Sequence, residues 1–427
     1  MPKFTKEKCS MKISVFTLGC KVNRSESDSI IEQLRAEGHE VYDGLKPADL
    51  FIVNTCAVTS EAEKKSRQLS ARIKAISPDA KVIFIGCASE HSPESFNKKD
   101  NVKLVMGTFC KGEVHNLLDK EGVMVAPQTK EFEELYPAVS SRTRTYVKIQ
   151  DGCNNFCSYC LIPYLRGRSR SRAPENIINE INSLSPLECV LNGINISDYH
   201  YEGVNLAGLI ERLAGVDTRI RLGSIEVNVI DDKLLVALSK LKDFAPQFHL
   251  SLQSGSDGVL KKMNRHYTTA EYLEKVELIR KYFPDAGITT DIIVGFPTET
   301  EEDFEDTLNA LKRARFDMIY SFQYSPRKGT PAAEMEYQIP KEVKSERFER
   351  LLALQNEISL TSNKPLEGQI LRVLCDGPSK NNKNVYSGRT EGGKIVLFEG
   401  VPDDVGNFLN IKIERGDTFA LYGKIEK

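Results

Sequence analysis

The sequence predicts an α/β protein in three parts: an N-terminal open parallel α/β domain over residues 10–122, a central partial (βα)6 barrel over 139–365 and a small C-terminal β-barrel over 366–427, with 123–138 as a linker. Three observations carry this. Short unbroken apolar runs alternate with helical patterns between residues 11 and 86, strand-then-helix repeats follow from residue 145, and short strand-like runs separated by Gly, Asn and Asp begin near residue 366. Parallel strands covered on both faces read as continuous apolar runs, and a βαβ succession builds a parallel sheet. Short strands punctuated by turn residues build a small barrel.

In the first part the runs are MKISVFT (11–17), DLFIVNT (49–55) and KVIFIG (81–86), with helices expected from about Ser25 and Ser60. Each run ends at a cysteine: TLGC at Cys20, VNTC at Cys56 and FIGC at Cys87. Open α/β sheets bind ligands outside the carboxyl ends of their strands, so cysteines distant in sequence meet there. Any one of them reads as an inert buried thiol; three in equivalent positions point to a site.

After the weakly patterned stretch VMVAPQTKEFEELYPAVSS, the second part begins with TYVKIQ (145–150). Five further runs follow: ECVLNG (188–193), RIRLGSIE (219–226), QFHLSLQ (247–253), GITTDIIVG (287–295) and FDMIYSFQ (316–323). In βα barrels the chemistry sits on the loops at the carboxyl ends of the strands. The segment CNNFCSYC, with Cys153, Cys157 and Cys160 in C-x3-C-x2-C spacing, is the first such loop. A charged helical pattern from Pro340 to Asn363 leads to the third part, where LEGQILRVLCDG, NVYSGRT, GKIVLFEG and FLNIKIERGD read as strands.

Composition bounds the class. Hydrophobic residues at 40%, charged residues at 28% and 28 glycines describe a soluble globular protein, and no apolar run approaches the roughly 20 residues of a bilayer span. The N-terminus has no apolar signal core, so a reducing, cytoplasmic location and no membrane are expected, with the ten cysteines as ligands or buried thiols rather than disulfides. The net charge of -2 gives no global attraction to nucleic acid. Locally, Arg142, Arg144, Lys148, Arg166, Arg168, Arg170 and Arg172 surround the cysteine loop against Asp151 alone, which fits either a solvated loop or a phosphate-facing rim. Arg372 to Lys394 offers a modest basic face or a plain solvated surface.

Three cysteines are one short of a closed zinc site, and no second C-x2-C or His pair lies near them. Iron–sulfur clusters are held by thiolates, and a cubane bound by three leaves one iron open to another ligand. Cys20, Cys56 and Cys87 repeat the same number.

With Tyr159 before the last cysteine, C-x3-C-x2-C after the first strand of a βα barrel resembles the signature of radical S-adenosylmethionine enzymes. GCKVN, NTC and GC at strand ends, then QDGCNNFCSYCLIPYLRGRSRSR and a small barrel, look like the methylthiotransferase family, over about residues 11 to 425. TLGCKVN and DGCNNFCSYCLIPYLRGRSRSR are most similar to its branch acting on N6-threonylcarbamoyladenosine at position 37 of tRNA. The terminal barrel resembles a TRAM domain, with Gly388-Arg389-Thr390 matching its short motif.

The resemblance implies that Cys153, Cys157 and Cys160 bind a [4Fe-4S] cluster whose open iron chelates S-adenosylmethionine. One electron then yields a 5'-deoxyadenosyl radical that takes hydrogen from C2 of the adenine. Cys20, Cys56 and Cys87 would hold a second [4Fe-4S] cluster carrying the sulfur. It implies as partners the tRNA anticodon loop, a reducing electron-transfer protein and a sulfur source. Position at strand ends suggests S-adenosylmethionine contacts: Asn192 and Gly193 after the second strand, Ser224 and Glu226 at the third, Gln253 at the fourth and Gly295 in Val294-Gly295-Phe296-Pro297 at the fifth. Asn-Gly and Gly-Phe-Pro also read as plain turns. Cys9, Cys110, Cys189 and Cys375 have no partner at ligand spacing, and His249 reads as a packed strand residue. Two departures from the family, Ala-Ser-Glu after Cys87 and GSIEVN at the third strand, remove no ligand. Rival readings are the same chemistry on isopentenyladenosine or on a ribosomal-protein aspartate, and a non-catalytic metal-stabilised tRNA-binding protein.

Overall fold

The computed structural model describes residues 10–139, 143–379 and 382–426, so Cys9, Arg142 and Lys380 lie outside the described residues. The chain forms two compact units. One comprises residues up to 141 together with 161–168; the other comprises 142–160 and 169–427, which places the terminal barrel with the central repeats.

The first unit is a six-stranded parallel sheet, in spatial order Glu40–Asp43, Lys12–Thr17, Leu50–Thr55, Lys81–Gly86, Val102–Met106 and Gly122–Met124. Leu50–Thr55 is buried at all six positions, as an unbroken apolar run in a sheet covered on both faces must be. Ile13, Val15, Ile52, Ile83 and Ile85 pack with Ile30, Ile31 and Leu34 on one face. On the other, Phe51, Val53 and Phe84 pack with Leu69, Ile73, Leu161 and Leu165. Three strands escape the sequence reading because they are short and lie toward the edges, and the last takes Val123 and Met124 out of the expected linker. The first helix runs Lys21–Ala36, starting four residues before the expected Ser25. Its opening turns bury Asn23, Ser25, Glu26 and Ser27, polar side chains that hide a core-facing helix from a hydrophobic pattern.

In the second unit six parallel strands follow in chain order: Thr145–Lys148, Glu188–Asn192, Arg219–Leu222 continued by Ser224–Ile225, Gln247–Leu250, Gly287–Val294 and Met318–Gln323. The third strand breaks at Gly223, where a Cβ would lie 2.8 Å from the Leu191 carbonyl, so only glycine permits the change of partner strand. Helix Lys341–Asn363 then leads to a closed five-stranded barrel, in order Ile370–Pro378, Val385–Thr390, Ile395–Glu399, Leu421–Ile425 and Phe408–Gly416. The sequence reading lacked the closing strand Leu421–Ile425, whose Gly423 lets the backbone pass a Lys412 carbonyl 2.4 Å from where a Cβ would stand.

This barrel packs at the amino ends of the parallel strands. Gly393 lies on the Gln247 side chain, and a Cβ on Gly287 would strike the Gly392 carbonyl at 1.8 Å. Arg221 donates to the carbonyls of Glu391 (2.9 Å) and Thr390 (3.3 Å). The C-x3-C-x2-C loop emerges at the opposite, carboxyl end of the first of these strands.

Candidate cluster and S-adenosylmethionine sites

In the first unit, hydrogen bonds tie the cysteine-bearing strand ends together. Asn23 Nδ2 donates to the carbonyls of Leu18 (2.8 Å) and Thr55 (2.8 Å), and Asn54 Nδ2 donates to the Asn23 carbonyl (2.9 Å). Thr55 Oγ1 donates to the Ile85 carbonyl (2.7 Å) and accepts from the amides of Ala88 (3.2 Å) and Ser89 (3.1 Å). Gly19 takes φ +106°, and a Cβ there would lie 2.8 Å from the Cys56 Sγ. Cys20 caps the first helix, Cys56 follows its strand, and Cys87 opens helix Cys87–His91. Burial pushes the Cys56 thiol up to about 12, against the Val58 amide, with Cys87 and Cys20 close enough to raise it further.

Beside these thiols lies a buried ion network. Arg166 donates to Glu26 Oε1 (2.8 Å), to Asn23 Oδ1 (2.7 Å) and, through Nε, toward Cys87 Sγ (3.4 Å). Lys111 joins the same Glu26 carboxylate.

In the second unit the C-x3-C-x2-C loop is held from several directions. Asn264, itself at φ 59°, donates to the carbonyls of Asn155 (2.8 Å) and Phe156 (3.1 Å), and Phe156 sits in the left-handed region at φ 47°. The Ser158 amide donates to the Met263 carbonyl (3.0 Å), and the Cys160 amide to the Cys157 carbonyl (3.0 Å). Gln150 braces the entry, donating to the Gly152 carbonyl (2.7 Å) and accepting from the Asn195 amide (2.8 Å). Arg265 points Nη1 at Cys157 Sγ (3.4 Å) while pairing with Glu226. Burial pushes the Cys153 thiol up to about 11, against the Asn155 amide.

The strand-end residues differ in availability. Asn192 is buried, and its Nδ2 has no hydrogen-bond partner among the described residues, leaving a donor for an acceptor group. Gly193 admits no side chain, since a Cβ would lie 2.7 Å from Ile196 and 2.9 Å from Gln150 Oε1. Ser224 is exposed and in register with His249. Glu226 pairs with Arg265 and accepts from Asn155 (3.3 Å); burial pushes its carboxyl up, against the Arg265 charge. Gln253 takes φ 71°, and its backbone bridges to the neighbouring strand through the Asp291 carbonyl (2.8 Å) and Ile293 amide (2.9 Å). Gly295, at φ 72°, already donates its amide to Glu299 (2.9 Å). His249 is half-buried, bonded to Thr289 (2.9 Å) and Asp291 (3.0 Å).

The basic stretch is largely turned to internal ion pairs. Arg144 pairs with Asp376, Lys148 and Arg170 with Asp151, and Arg172 with Glu180, while Arg166 is buried; of the described members, Arg168 alone is exposed. Each is matched because a buried cation needs a compensating acid. Arg265, Asn264 and Gln150 carried no sequence signal, since each has partners between 19 and 109 residues away.

Among the described residues no three His, Cys, Asp or Glu side chains converge on a single ion. A cubane spreads its thiolates over separate irons, a demand different from that of a single ion. The orphaned Asn192 donor fits a carboxylate or carbonyl presented at the same strand ends.

Residues 147–311 match the radical SAM superfamily, residues 12–107 match a family described as "Uncharacterized protein family UPF0004", and residues 364–425 match the TRAM domain. The chain is 38% identical over 442 residues to a Clostridium novyi (strain NT) protein named tRNA-2-methylthio-N(6)-dimethylallyladenosine synthase, covering 99% of this chain and 98% of that one. It is 36% identical to a protein of the same name from Moorella thermoacetica, covering 98% and 99%. Among solved structures, the apo form of the cobalamin-dependent S-adenosylmethionine radical enzyme OxsB aligns with a TM-score of 0.53 at 11% identity, covering 82% of this chain and 61% of that one, a likeness of fold alone.

Proposed function

The chain belongs to the radical S-adenosylmethionine methylthiotransferase family and acts on tRNA with S-adenosylmethionine and [4Fe-4S] clusters, and from that premise we propose that it transfers a methylthio group to C2 of N6-threonylcarbamoyladenosine at position 37. The observation behind the chemistry is the pair of three-cysteine sets, each at the carboxyl ends of parallel strands in its own unit. When bound, S-adenosylmethionine and the clusters supply one-electron cleavage and the transferred sulfur. The chain's residues hold and orient them. Cys153, Cys157 and Cys160 would bind one cluster and Cys20, Cys56 and Cys87 the other; Asn192, Gly193, Ser224, Glu226, Gln253 and Gly295 line the strand ends where S-adenosylmethionine would lie.

The threonylcarbamoyl substrate is supported by the likeness of Gly19-Cys20-Lys21-Val22-Asn23 and Gly167-Arg168-Ser169-Arg170-Ser171-Arg172 to that branch. Part of this likeness has a structural reason, because Asn23 ties strand ends together and Arg170 and Arg172 form ion pairs. The second reading, dimethylallyladenosine, is favoured by the names of the relatives above. A cytoplasmic setting, an electron-transfer protein and a sulfur source complete the proposal. Nucleoside mass spectrometry of tRNA from a deletion strain decides the substrate. Loss of 2-methylthio-threonylcarbamoyladenosine with its dimethylallyl counterpart intact is the expected result, and the reverse pattern reassigns it.

A further inference from the structure

We propose that Arg166 is a positioning residue for the iron–sulfur group of the first unit, a buried fixed cation that orients Cys87 and makes that group easier to reduce. The inference rests on Cys20, Cys56 and Cys87 holding a cluster.

Its basis is the way the guanidinium is locked. Nη1 and Nη2 donate to Glu26 (2.8 and 3.2 Å), and Nη2 also to Asn23 Oδ1 (2.7 Å), leaving Nε directed at Cys87 Sγ (3.4 Å). The side chains of Arg166, Glu26 and Lys111 are 0%, 1% and 1% exposed, so no water screens the contact. Glu26 is in turn fixed from its other side by Lys111, which also donates to Asn54 Oδ1 (3.3 Å). The carboxylate is thus shared by two cations, while one of them faces sulfur. The Arg166 charge also reaches Cys20 and Cys56. A rigid, weakly hydrated fork suits this task better than a flexible ammonium.

The backbone holds Arg166 as firmly. It ends helix Ile162–Arg166, whose Leu165 packs in the sheet core and whose Leu165 carbonyl accepts from Thr108 Oγ1 (2.7 Å), and Gly167 at φ 71° turns the chain away. Arg166 is six residues beyond Cys160 in the chain. Hydrogen bonds and charge next to a cluster sulfur set its potential, and a cation favours the more negative reduced state.

The test uses the full chain with Cys153, Cys157 and Cys160 changed to Ala, so that only the first unit loads. Iron content and the midpoint from an EPR-monitored redox titration are read for this parent, Arg166→Gln and Arg166→Lys. The parent should hold about four irons. Arg166→Gln should shift the midpoint to more negative potential or lose iron, and Arg166→Lys should recover most of the parent's value. Lys111→Met, which alters the network without touching sulfur, should lower the apo melting temperature yet leave the midpoint nearer the parent than Arg166→Gln does. Identical midpoints and iron content in parent and Arg166→Gln overturn the proposal, as do equal changes in the Gln and Lys variants. A parent that holds no iron overturns the cluster reading beneath it.

Discussion

From one buried position the Arg265 guanidinium reaches the Cys157 sulfur, the Glu226 carboxylate and the Ser251 carbonyl (3.1 Å). Its side chain is 4% exposed and that of Glu226 18%. Removing one partner of such a pair leaves a poorly solvated charge, so Arg265→Met should cost roughly 3–5 kcal/mol in denaturant unfolding. Glu226→Gln keeps an acceptor for the guanidinium and should cost less. The double variant should recover part of the Arg265→Met loss, because the orphaned carboxylate is gone; no recovery would contradict the pairing. Loss of the guanidinium also removes the charge that opposes burial at Glu226, so that carboxyl should titrate at higher pH still.

At the scale of elements, the first cysteine site depends on how three strand ends are joined, and Thr55 is the joint. Thr55→Val preserves shape but deletes the acceptor for the Ala88 and Ser89 amides, and an unsatisfied buried donor costs about 1–3 kcal/mol. The apo melting temperature should fall, and iron should be lost from the first unit while the C-x3-C-x2-C loop keeps its own. Equal iron in both units would show that Thr55 does not position Cys87. The strands behind both sites were legible because DLFIVNT, KVIFIG and ECVLNG are buried on both faces and so read as unbroken apolar runs. EVYD, VKLVM, GVM and LYGKI were missed, being short, exposed at one end or interrupted by glycine. The cysteines were legible for the same reason as the strands they end. Arg265 and Asn264 were not, and Arg166 was legible only as one of a basic stretch, since a polar residue shows its role only when folding brings its distant partner to it.

Across the molecule, Glu188 joins the parallel strands to the terminal barrel. It accepts from Arg219 Nε (2.7 Å) and Arg221 Nε (2.8 Å), and Arg221 continues to the barrel backbone. Phe408 of the barrel stacks between Arg219 (4.2 Å) and Arg372 (4.1 Å), which adds cation–π attraction. Burial opposes the Glu188 charge, but the Arg221 hydrogen bonds and the charges of Arg221, Arg219 and Arg144 outweigh it and hold the carboxyl below its ordinary range. A depressed carboxyl contributes stability that is present above about pH 4.5 and is lost as pH falls through its folded value. Stability measured against pH should therefore decline on the acid side, and Glu188→Gln should flatten that decline while lowering stability at neutral pH. An unchanged acid limb would remove Glu188 as its source. The terminal barrel is thereby fixed at the amino ends of the strands.

Iron content after anaerobic reconstitution reads out whether the chain holds two open clusters, each on three cysteines, as we propose. About eight irons per chain are expected, falling to about four in Cys153→Ala and to about four in Cys87→Ala. About four irons in the unaltered chain, or a single zinc and no iron, would contradict it.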